Sequence, residues 1–393
     1  MLKSNPRKRS ARIGVIGCLA ALAALSLAAT GSSGVSRQSY GSPIKIGIIL
    51  PYTGPFGLYG KPMEATFRAR FAKQHNRIAG HKVELYFVDE ATDPKTAVLD
   101  ATQLVTQQHV NAIVCCVTGG ATLAVGPILA QQGVPQIGPI PNPSGLENYK
   151  TAAMAAPTAG HDAQILGKYA ASKLKYKTAA VLATDFAYGH EVADAFTKGF
   201  EAAGGRVTTS TYAPLGTTDF GSYLTKIGNV DAVFGGFAGA DGIAFVKQYK
   251  QFGNKATLLG HGPLVTELLL RAEGPAATGI GAAFYYSSGL NFAENKDFIA
   301  TMKDIDPNFV PSHFTAGAWA TGSAIIATAQ KLHGNVKSGK QFAATLRKLK
   351  IKAPWGTLKF DRKTGYGIAP TYFYTVVNNG GTMTHKILAK ING

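Results

Sequence analysis

Residues 44–60, IKIGIILPYTGPFGLYG, constrain the fold more than any other stretch of this 393-residue chain. Their first seven positions form a largely β-branched apolar run, which is typical of a buried parallel strand. The following ten positions contain two prolines, three glycines and the aromatic residues Tyr52, Phe56 and Tyr59. From Lys61, apolar residues four positions apart predict a helix. A strand, a glycine-rich turn and a helix together place that turn where open α/β sheets bind ligands.

The same rhythm continues along the chain. Strand-type and helix-type patterns alternate through residues 83–137 and again through residues 163–260, separated by short breaks. Such alternation predicts parallel sheets with helices on both faces. The roughly 360 residues that follow the N-terminal leader exceed what one hydrophobic core usually serves. The sequence therefore predicts an α/β fold with two doubly wound, Rossmann-like lobes.

Residues 1–29 have the three-part form of a secretory signal peptide, with a basic start, an apolar run at 13–27 and small residues at the cleavage position. The apolar run is shorter than the ~20 residues that a membrane-spanning helix needs. Cys18 lies too early in the run for a lipoprotein signal, which argues against a lipid anchor. Residues 30–43, rich in Gly and Ser, are predicted to be a flexible leader. We therefore expect a periplasmic or secreted protein.

The net charge does not by itself identify a partner. The formal charge of +18 falls to 18 − 5 = +13 once the five cations of the signal peptide are removed. The remaining lysines are scattered and form no arginine-rich block, so we expect no nucleic-acid partner. A solvated basic surface is one interpretation of this surplus. An anionic ligand or an acidic partner at the membrane is the other.

Cysteine and histidine spacing predicts neither a metal site nor a cofactor. Of the three cysteines, Cys18 lies in the signal peptide, and Cys115 and Cys116 are adjacent. The usual Cα separation of a disulfide exceeds the peptide step of about 3.8 Å, so two buried thiols are expected at the end of a strand. No Cys-x-x-Cys occurs, and the nine histidines show no ligand spacing.

Four segments of the chain are the most specific: residues 44–60, residues 89–95, Tyr188-Gly189 and residues 233–237. In their order and spacing, they resemble the periplasmic type I solute-binding proteins of branched-chain amino-acid ABC transporters, the leucine/isoleucine/valine-binding group. The resemblance extends from residue 44 to about residue 377.

This resemblance implies two lobes joined by a three-strand hinge, which close over a small-molecule ligand. The implied lobe 1 comprises residues 44–157 and 284–352, and lobe 2 comprises residues 158–283 and 353–393. It also implies a monomer without enzymatic activity, which delivers its ligand to an ABC permease and an ATPase subunit.

The resemblance further implies where the ligand is held. A hydroxyl-rich turn would hold a carboxylate through backbone N–H groups and hydroxyls, and a helix N-terminus after such a turn suits an anion on physical grounds as well. An adjacent backbone segment and three aromatic residues would complete the site. The turn is Thr118, Gly119, Gly120, Ala121 and Thr122; the segment is Pro139, Ile140, Pro141 and Asn142; the aromatics are Tyr59, Tyr188 and Phe237.

Two departures from the family pattern affect the ligand. Amino-acid binders of the family hold the ammonium group with an acidic residue, but the corresponding loop here begins at His261 and contains no acid. A buried ammonium group without a carboxylate is costly, unless Asp241 or Glu267 replaces that acid. His261 could instead donate to an anionic ligand. The ligand is thus a hydrophobic amino acid or an aromatic or aliphatic acid without the amine. The second departure is Thr92, which replaces a cysteine that forms a disulfide in some members.

Three other classes of protein remain open from the sequence. An exported α/β enzyme would be expected to carry a G-x-S-x-G, P-loop or H-E-x-x-H motif, and none is present. Asp185 and His190 are the one tempting acid/base pair. A ligand-sensing domain and an amide- or urea-binding relative of the same fold are the remaining alternatives.

Overall fold

The computed structural model describes residues 41–391, so the predicted signal peptide and almost all of the flexible leader lie outside the described residues. The described chain begins with alternating strands and helices, as the sequence predicts. These elements are β1 (Ile44–Leu50), α1 (Gly60–Ala72), β2 (Arg77–Ile78), β3 (His81–Asp89), α2 (Pro94–Thr106), β4 (Ala112–Val114), α3 (Gly119–Gln132), β5 (Gln136–Gly138) and β6 (Ala152–Met154).

The alternation then continues through a second group of elements. They are α4 (Ala159–Ser172), β7 (Thr178–Thr184), α5 (Ala187–Ala202), β8 (Arg206–Ala213), α6 (Gly221–Leu224), β9 (Ala232–Gly236), α7 (Gly239–Gln251), β10 (Thr257–His261), α8 (Glu267–Glu273) and β11 (Gly281–Phe284). The last part of the chain contains α9 (Ala293–Ile305), α10 (His313–Lys331), α11 (Gly339–Leu346), β12 (Ile351–Ala353), β13 (Gly356–Phe360), β14 (Gly367–Ile368), β15 (Thr371–Asn379) and β16 (Thr382–Ile391).

Two predominantly parallel sheets organise the described chain. The first has the order β2-β3-β1-β4-β5-β6, and only the β2–β3 pair is antiparallel. The second has the order β16-β15-β11-β10-β9-β7-β8, with antiparallel pairing confined to β16, β15 and β11. The prediction of a doubly wound α/β fold is confirmed. A small third sheet, β12-β13-β14, lies along the chain between the last helices and β15.

The chain passes between the two large sheets more than once. It leaves the first sheet after β6 and enters the second through α4 and β7. After β11 it returns to the first sheet's side through α10, which packs against α1, and it re-enters the second sheet at β15. This path agrees with crossovers at a hinge, while the predicted lobe boundaries stay a prediction.

Side-chain caps fix where some of these helices begin. Asp93 Oδ2 accepts a hydrogen bond from Thr96 N at 2.9 Å and Pro94 follows it, so α2 begins as a capped helix with proline in its first turn. Ser312 and Thr315 form a reciprocal capping box at the start of α10. The helices α3, α5 and α7 begin without a side-chain cap. Their first-turn N–H groups therefore depend on other acceptors.

The expectation of two free thiols at Cys115 and Cys116 is wrong, because the structure joins them in a disulfide. The strand that was expected to end at these cysteines ends earlier, at Val114. In a strand, neighbouring side chains point to opposite faces. Because both cysteines lie beyond the strand, this alternation does not separate them.

Within residues 41–391, no helix has the length and apolar character that a membrane crossing requires.

Close packing of α4 against α5 predicts a selective cost for a small substitution. A Cβ at Gly167 would lie 2.2 Å from Phe196 O, whereas a Cβ at Gly242 in α7 would make ordinary contact, 3.5 Å from Leu269 Cδ1. We expect Gly167→Ala to lower the free energy of unfolding by about 1–3 kcal/mol, because the two helix backbones must separate. The matched Gly242→Ala control should be neutral or stabilising by up to about 1 kcal/mol. Urea unfolding of both variants measures this, and equal values would contradict the prediction.

Candidate functional site

The carboxyl ends of strands from both sheets surround one cavity. The loops after β1, β4, β7, β9 and β10 all contribute to its wall. The order of strands reverses between β1 and β4 and again between β7 and β9, and such switch points are where open α/β sheets bind ligands. The lining residues are Phe56, Tyr59, Val117, Gly119, Ile140, Pro141, Pro143, Phe186, Tyr188, Ala238, His261, Pro263, Phe284, His313 and Phe314.

Part of the predicted site lines this cavity and part does not. The lining includes Tyr59, Gly119, Ile140, Pro141, Tyr188 and His261. The predicted residues outside it are Thr118, Gly120, Ala121, Thr122, Pro139, Asn142, Phe237 and Asp241. Phe56 belongs to the glycine-rich turn that the sequence placed at the ligand edge. The other lining residues were not predicted, and His313 and Phe314 are the most distant of them from any predicted strand end.

The hydroxyl-rich turn after β4 is held from behind by Glu90. Glu90 Oε1 accepts hydrogen bonds from Val117 N at 3.0 Å and Thr118 N at 3.3 Å, and Glu90 Oε2 accepts from Thr118 Oγ1 at 3.0 Å. Burial raises the pKa of Glu90 to about 8, although these hydrogen bonds act in the opposite direction. The carboxyl group is therefore mostly neutral at pH 7. It orients the turn without placing a negative charge beside Gly119.

The hydroxyl group of Thr122, the other threonine of the turn, forms its hydrogen bonds inside the protein. Thr122 Oγ1 lies 2.8 Å from Asn142 Oδ1 and 2.9 Å from Thr118 O, and it accepts from Cys116 N at 3.2 Å. Asn142 in turn donates to Ile140 O at 3.0 Å. Thr118, Thr122 and Asn142 thus fix the loops after β4 and β5, and the backbone of Gly119 and Ile140 lines the cavity.

Two side chains that were predicted to contact the ligand, Phe237 and Asp241, instead contact other parts of the protein. Phe237 is 1% exposed and packs against Phe220 and Phe245, at ring-centroid distances of 5.0 and 4.6 Å, while its neighbour Ala238 lines the cavity. Asp241 Oδ2 accepts from Gly216 N at 3.0 Å, and burial raises its pKa to about 6. Asp241 therefore secures the loop after β8.

Tyr59 connects the two sheets at the cavity wall. Its ring stacks on Phe314 at a centroid distance of 3.7 Å, and its Oη accepts a hydrogen bond from Gly239 N at 2.8 Å. Ala240 N donates to Pro55 O at 3.4 Å. The uncapped N-terminus of α7 thus finds its acceptors in the loop after β1.

A second set of contacts joins the loop after β5 to α4 and α5. Glu191 Oε2 accepts from Ser144 N at 2.8 Å, and Glu191 Oε1 accepts from Gly160 N at 2.9 Å. Burial raises the pKa of this carboxyl group. Tyr366 Oη donates to Pro143 O at 2.6 Å. These contacts therefore join the loop after β5 to α4, to α5 and to the segment before β14.

Two buried imidazoles supply the most unusual polar groups of the cavity. His261 is 0% and His313 is 2% exposed, and burial lowers the pKa of each to about 3. His261 Nδ1 lies 2.8 Å from Tyr188 Oη, and His313 Nδ1 lies 3.1 Å from Thr266 Oγ1. Neither Nε2 has a hydrogen-bond partner among residues 41–391. Buried polar atoms are rarely left unpaired, so these two nitrogens mark a place where a polar group can bind.

The acid/base pair considered from the sequence lies outside this cavity. His190 Nε2 and Asp185 Oδ1 are 2.7 Å apart, and both side chains are about half exposed, at 45% and 56%. His190 also stacks on Tyr212 at 4.1 Å. In the described part of the chain, no cluster of three or more His, Cys, Asp or Glu side chains could hold a metal ion.

The chain belongs to the periplasmic binding protein family, whose model matches residues 43–382. Membership confirms the resemblance to type I solute-binding proteins of ABC transporters and implies an extracytoplasmic location. A curated relative is the Leu/Ile/Val-binding protein homolog 6 of Brucella melitensis. It is 26% identical over 358 residues, which cover 88% of this chain and 91% of the relative.

Solved structures of similar proteins agree with this assignment. A solute-binding protein of an ABC transporter from Rhodopseudomonas palustris BisB5, in complex with 3,4-dihydroxybenzoic acid, has a TM-score of 0.84 and 26% identity. The match covers 89% of this chain and 97% of that one. An R. palustris solute-binding protein in complex with 4-hydroxybenzoate has a TM-score of 0.83 and 25% identity over the same shares.

The neutral state of Glu90 predicts a pH dependence of stability. Its folded pKa of about 8 lies above its ordinary value of 4.5. The folded state therefore holds the proton more tightly, and this stabilisation is complete below about pH 4.5 and is lost as the pH rises toward 8. Glu90→Gln mimics the neutral acid and should lack this loss. In chemical unfolding from about pH 5 to 9, the free energy of unfolding of Glu90→Gln should increase relative to that of the wild type as the pH rises.

The matched control for this experiment is Glu201→Gln, which changes an exposed carboxylate of α5. The free energy of unfolding of this control should differ from that of the wild type by a nearly constant amount across the same pH range. A constant difference for Glu90→Gln as well would show that the buried carboxyl group is ionised throughout.

Proposed function

We propose that this protein is the solute-binding component of an ABC importer and captures a small aromatic or branched aliphatic carboxylate that lacks an α-ammonium group. The observation that carries the proposal is the composition of the cavity wall. It contains aromatic, aliphatic and proline side chains and two histidines, and no Asp, Glu, Lys or Arg of the described residues lines it. A mostly apolar cavity with a few convergent polar groups is the usual form of a small-molecule site.

The donors of the cavity suit a carboxylate. Gly119 lines it in the first turn of α3, which has no side-chain cap, so its free N–H groups and the helix dipole favour an anion. Tyr59 Oη accepts from Gly239 N, which leaves its own hydrogen free to donate. Tyr188, His261 and His313 add further polar atoms to the wall.

The same wall offers no partner to an ammonium group. The carboxyl group of Glu90 is occupied by the turn after β4, and that of Asp241 is occupied by Gly216. Glu267, the other predicted substitute, lies 3.4 Å from His385 and accepts from Ser288 N at 2.7 Å. An amino acid would therefore bury its ammonium group without a counter-charge, at a cost of several kcal/mol.

The two groups of relatives point to different ligands, and the composition of the cavity wall supports one of them. The R. palustris complexes hold hydroxylated benzoic acids, and the Brucella relative is named for branched-chain amino acids. The lack of an acidic residue in the wall favours the aromatic acids. A hydrophobic amino acid is the second candidate, supported by the name of that relative.

Capture by closure of two lobes accounts for the shape of the cavity. Its volume of about 30 Å³ is far below the roughly 300–1,000 Å³ of typical ligand pockets. A ligand must therefore separate the walls, and these come from both sheets. We infer that the contacts of Tyr59 with Gly239 and of Glu191 with Ser144 form when the lobes close. The closed monomer would then be recognised by a permease of the branched-chain amino-acid type with its ATPase.

The ligand class is tested with pairs of compounds that differ only in the amine. We expect 3-phenylpropanoate to raise the melting temperature of the mature protein more than phenylalanine does, and 4-methylpentanoate more than leucine. Benzoate and benzamide complete the panel and separate an acid from an amide. A ligand that binds only the folded state raises the melting temperature. A larger shift with the amino acids would overturn the proposed ligand class, and a shift with none of these compounds would overturn the proposed function.

Replacement of Tyr188 should weaken binding without unfolding the protein. The side chain lines the cavity and holds His261 through a 2.8 Å hydrogen bond, so Tyr188→Ala removes a wall and releases the imidazole. We expect at least a tenfold loss of affinity, about 1.4 kcal/mol, by calorimetry. Phe252→Ala, at an aromatic side chain that is 50% exposed and outside the cavity, is the control. Unchanged affinity in Tyr188→Ala would remove this residue from the site.

A further inference from the structure

The cavity contains no fixed positive charge to balance an anion. Its wall has neither Lys nor Arg within residues 41–391, and its donors are backbone N–H groups, hydroxyls and imidazoles. A helix N-terminus carries about half a positive charge, which compensates a carboxylate only in part. Transfer of an uncompensated anion into such surroundings is costly, and buried groups usually avoid it by binding a proton.

Among the described side chains of the wall, only the two histidines can take up such a proton. Each is nearly fully buried and has one ring nitrogen bonded to a hydroxyl group, while the other nitrogen has no partner among residues 41–391. The hydroxyl groups of Tyr188 and Thr266 can accept from Nδ1–H, so an imidazolium ring can be held in place. Its Nε2–H is then available to a ligand oxygen.

The charged surroundings differ between the two rings. Burial lowers the pKa of His313 most, Glu267 of α8 raises it by its negative charge, and the nearby His385 lowers it. No such carboxylate favours the charged form of His261, whose pKa is lowered by burial and by His313. His313 is therefore the ring whose charged form a neighbouring carboxylate favours.

We propose that the ligand carboxylate binds together with one proton from solvent, which His313 accepts, while His261 stays neutral beside it. This inference rests on the proposed function. The step is RCOO⁻ + H⁺ + neutral His313 → RCOO⁻···imidazolium, so the loaded cavity has no net charge. The imidazolium donates from Nε2 to the carboxylate, and Nδ1–H donates to Thr266 Oγ1.

The other titratable groups around the rings do not supply this proton linkage. Tyr59, Tyr188 and Tyr285 are buried, which raises their pKa values, so they stay protonated. Burial opposes ionisation of Glu267, yet its pKa is lowered by the nearby His385, so this carboxylate is already ionised. Glu90, behind the turn after β4, is mostly protonated at pH 7 and can take up only a small further fraction.

Proton uptake on binding fixes the direction in which the Kd changes with pH. A carboxylic acid of pKa about 4 is ionised from pH 6 to 8. The free protein holds no proton on His313 in this range, because burial keeps its pKa at about 3. The complex holds one until the pH exceeds the raised pKa of the bound state. Within that window the Kd for the acid should increase about tenfold for each unit of pH. An uncharged ligand should show no such dependence.

Isothermal titration calorimetry of the mature protein tests the proposal directly. Titrations at pH 7 use whichever of benzoate, 3-phenylpropanoate and 4-methylpentanoate gives the largest thermal shift, in buffers of different ionisation enthalpy. The slope of binding enthalpy against buffer enthalpy counts the protons, and we expect about one. Benzamide, the uncharged isostere of benzoate, should give a slope near zero if it binds. Binding of the acid without proton uptake overturns the inference and leaves the proposed function intact. If none of the acids binds, both fall.

Variants assign the proton to one ring. His313→Gln keeps an N–H donor but cannot take up a proton, so the slope should fall to near zero and the pH dependence of Kd should vanish. His261→Gln should weaken binding and retain the slope. Glu90→Gln and the exposed control His190→Gln should also retain it. Uptake that persists in His313→Gln overturns the assignment, and so does its loss in Glu90→Gln. The wild-type titration needs no variant, so a folding failure does not leave the proposal undecided.

Discussion

The parallel order of the two sheets is the constraint on which the site depends. Parallel strands place their carboxyl ends along one edge, and here the ends of β1 and β4 face those of β7, β9 and β10 across a single cavity. The wall is built from short loops, which bring backbone groups and aromatic rings into it rather than long charged side chains. Polar contacts outside the cavity, such as Thr122 with Asn142, then hold these loops in position.

The fold and the strand-end part of the site could be predicted because both depend on local patterns. Alternating apolar runs and glycine-rich turns located the strands. The loop that follows a buried parallel strand lies at the carboxyl edge of the sheet, where open α/β sheets bind ligands. Tyr59, Gly119, Tyr188 and His261 line the cavity for this reason. The sequence patterns missed the short strands β2, β6, β12 and β14 and the edge strand β16, because runs of two or three residues, or a half-exposed edge, carry little periodicity.

The rest of the site depends on long-range packing, which periodicity does not reveal. His313 and Phe314 enter the cavity from the start of α10, whose place is set by its packing against α1. The capping residues Ser312 and Thr315 could have marked this helix start, though not its partner. Conversely, Phe237 and Thr118 follow strand ends as predicted but are held by an aromatic cluster and by Glu90. Sequence distance to a strand end does not say which way such a side chain turns.

Desolvation explains the charge states of three titratable groups that lie far apart in the sequence. Burial disfavours the charged forms of Glu90, His261 and His313 alike, so the free protein keeps these three groups mostly uncharged at neutral pH. An ionised Glu90 would repel an anion at Gly119, and a protonated histidine pair would carry unbalanced charge in the free state. A carboxylate ligand would then be the group that introduces charge into the cavity. Its affinity would depend on how readily a neighbouring group supplies the opposite charge, and of the two rings His313 is the one whose charged form a carboxylate, Glu267, favours.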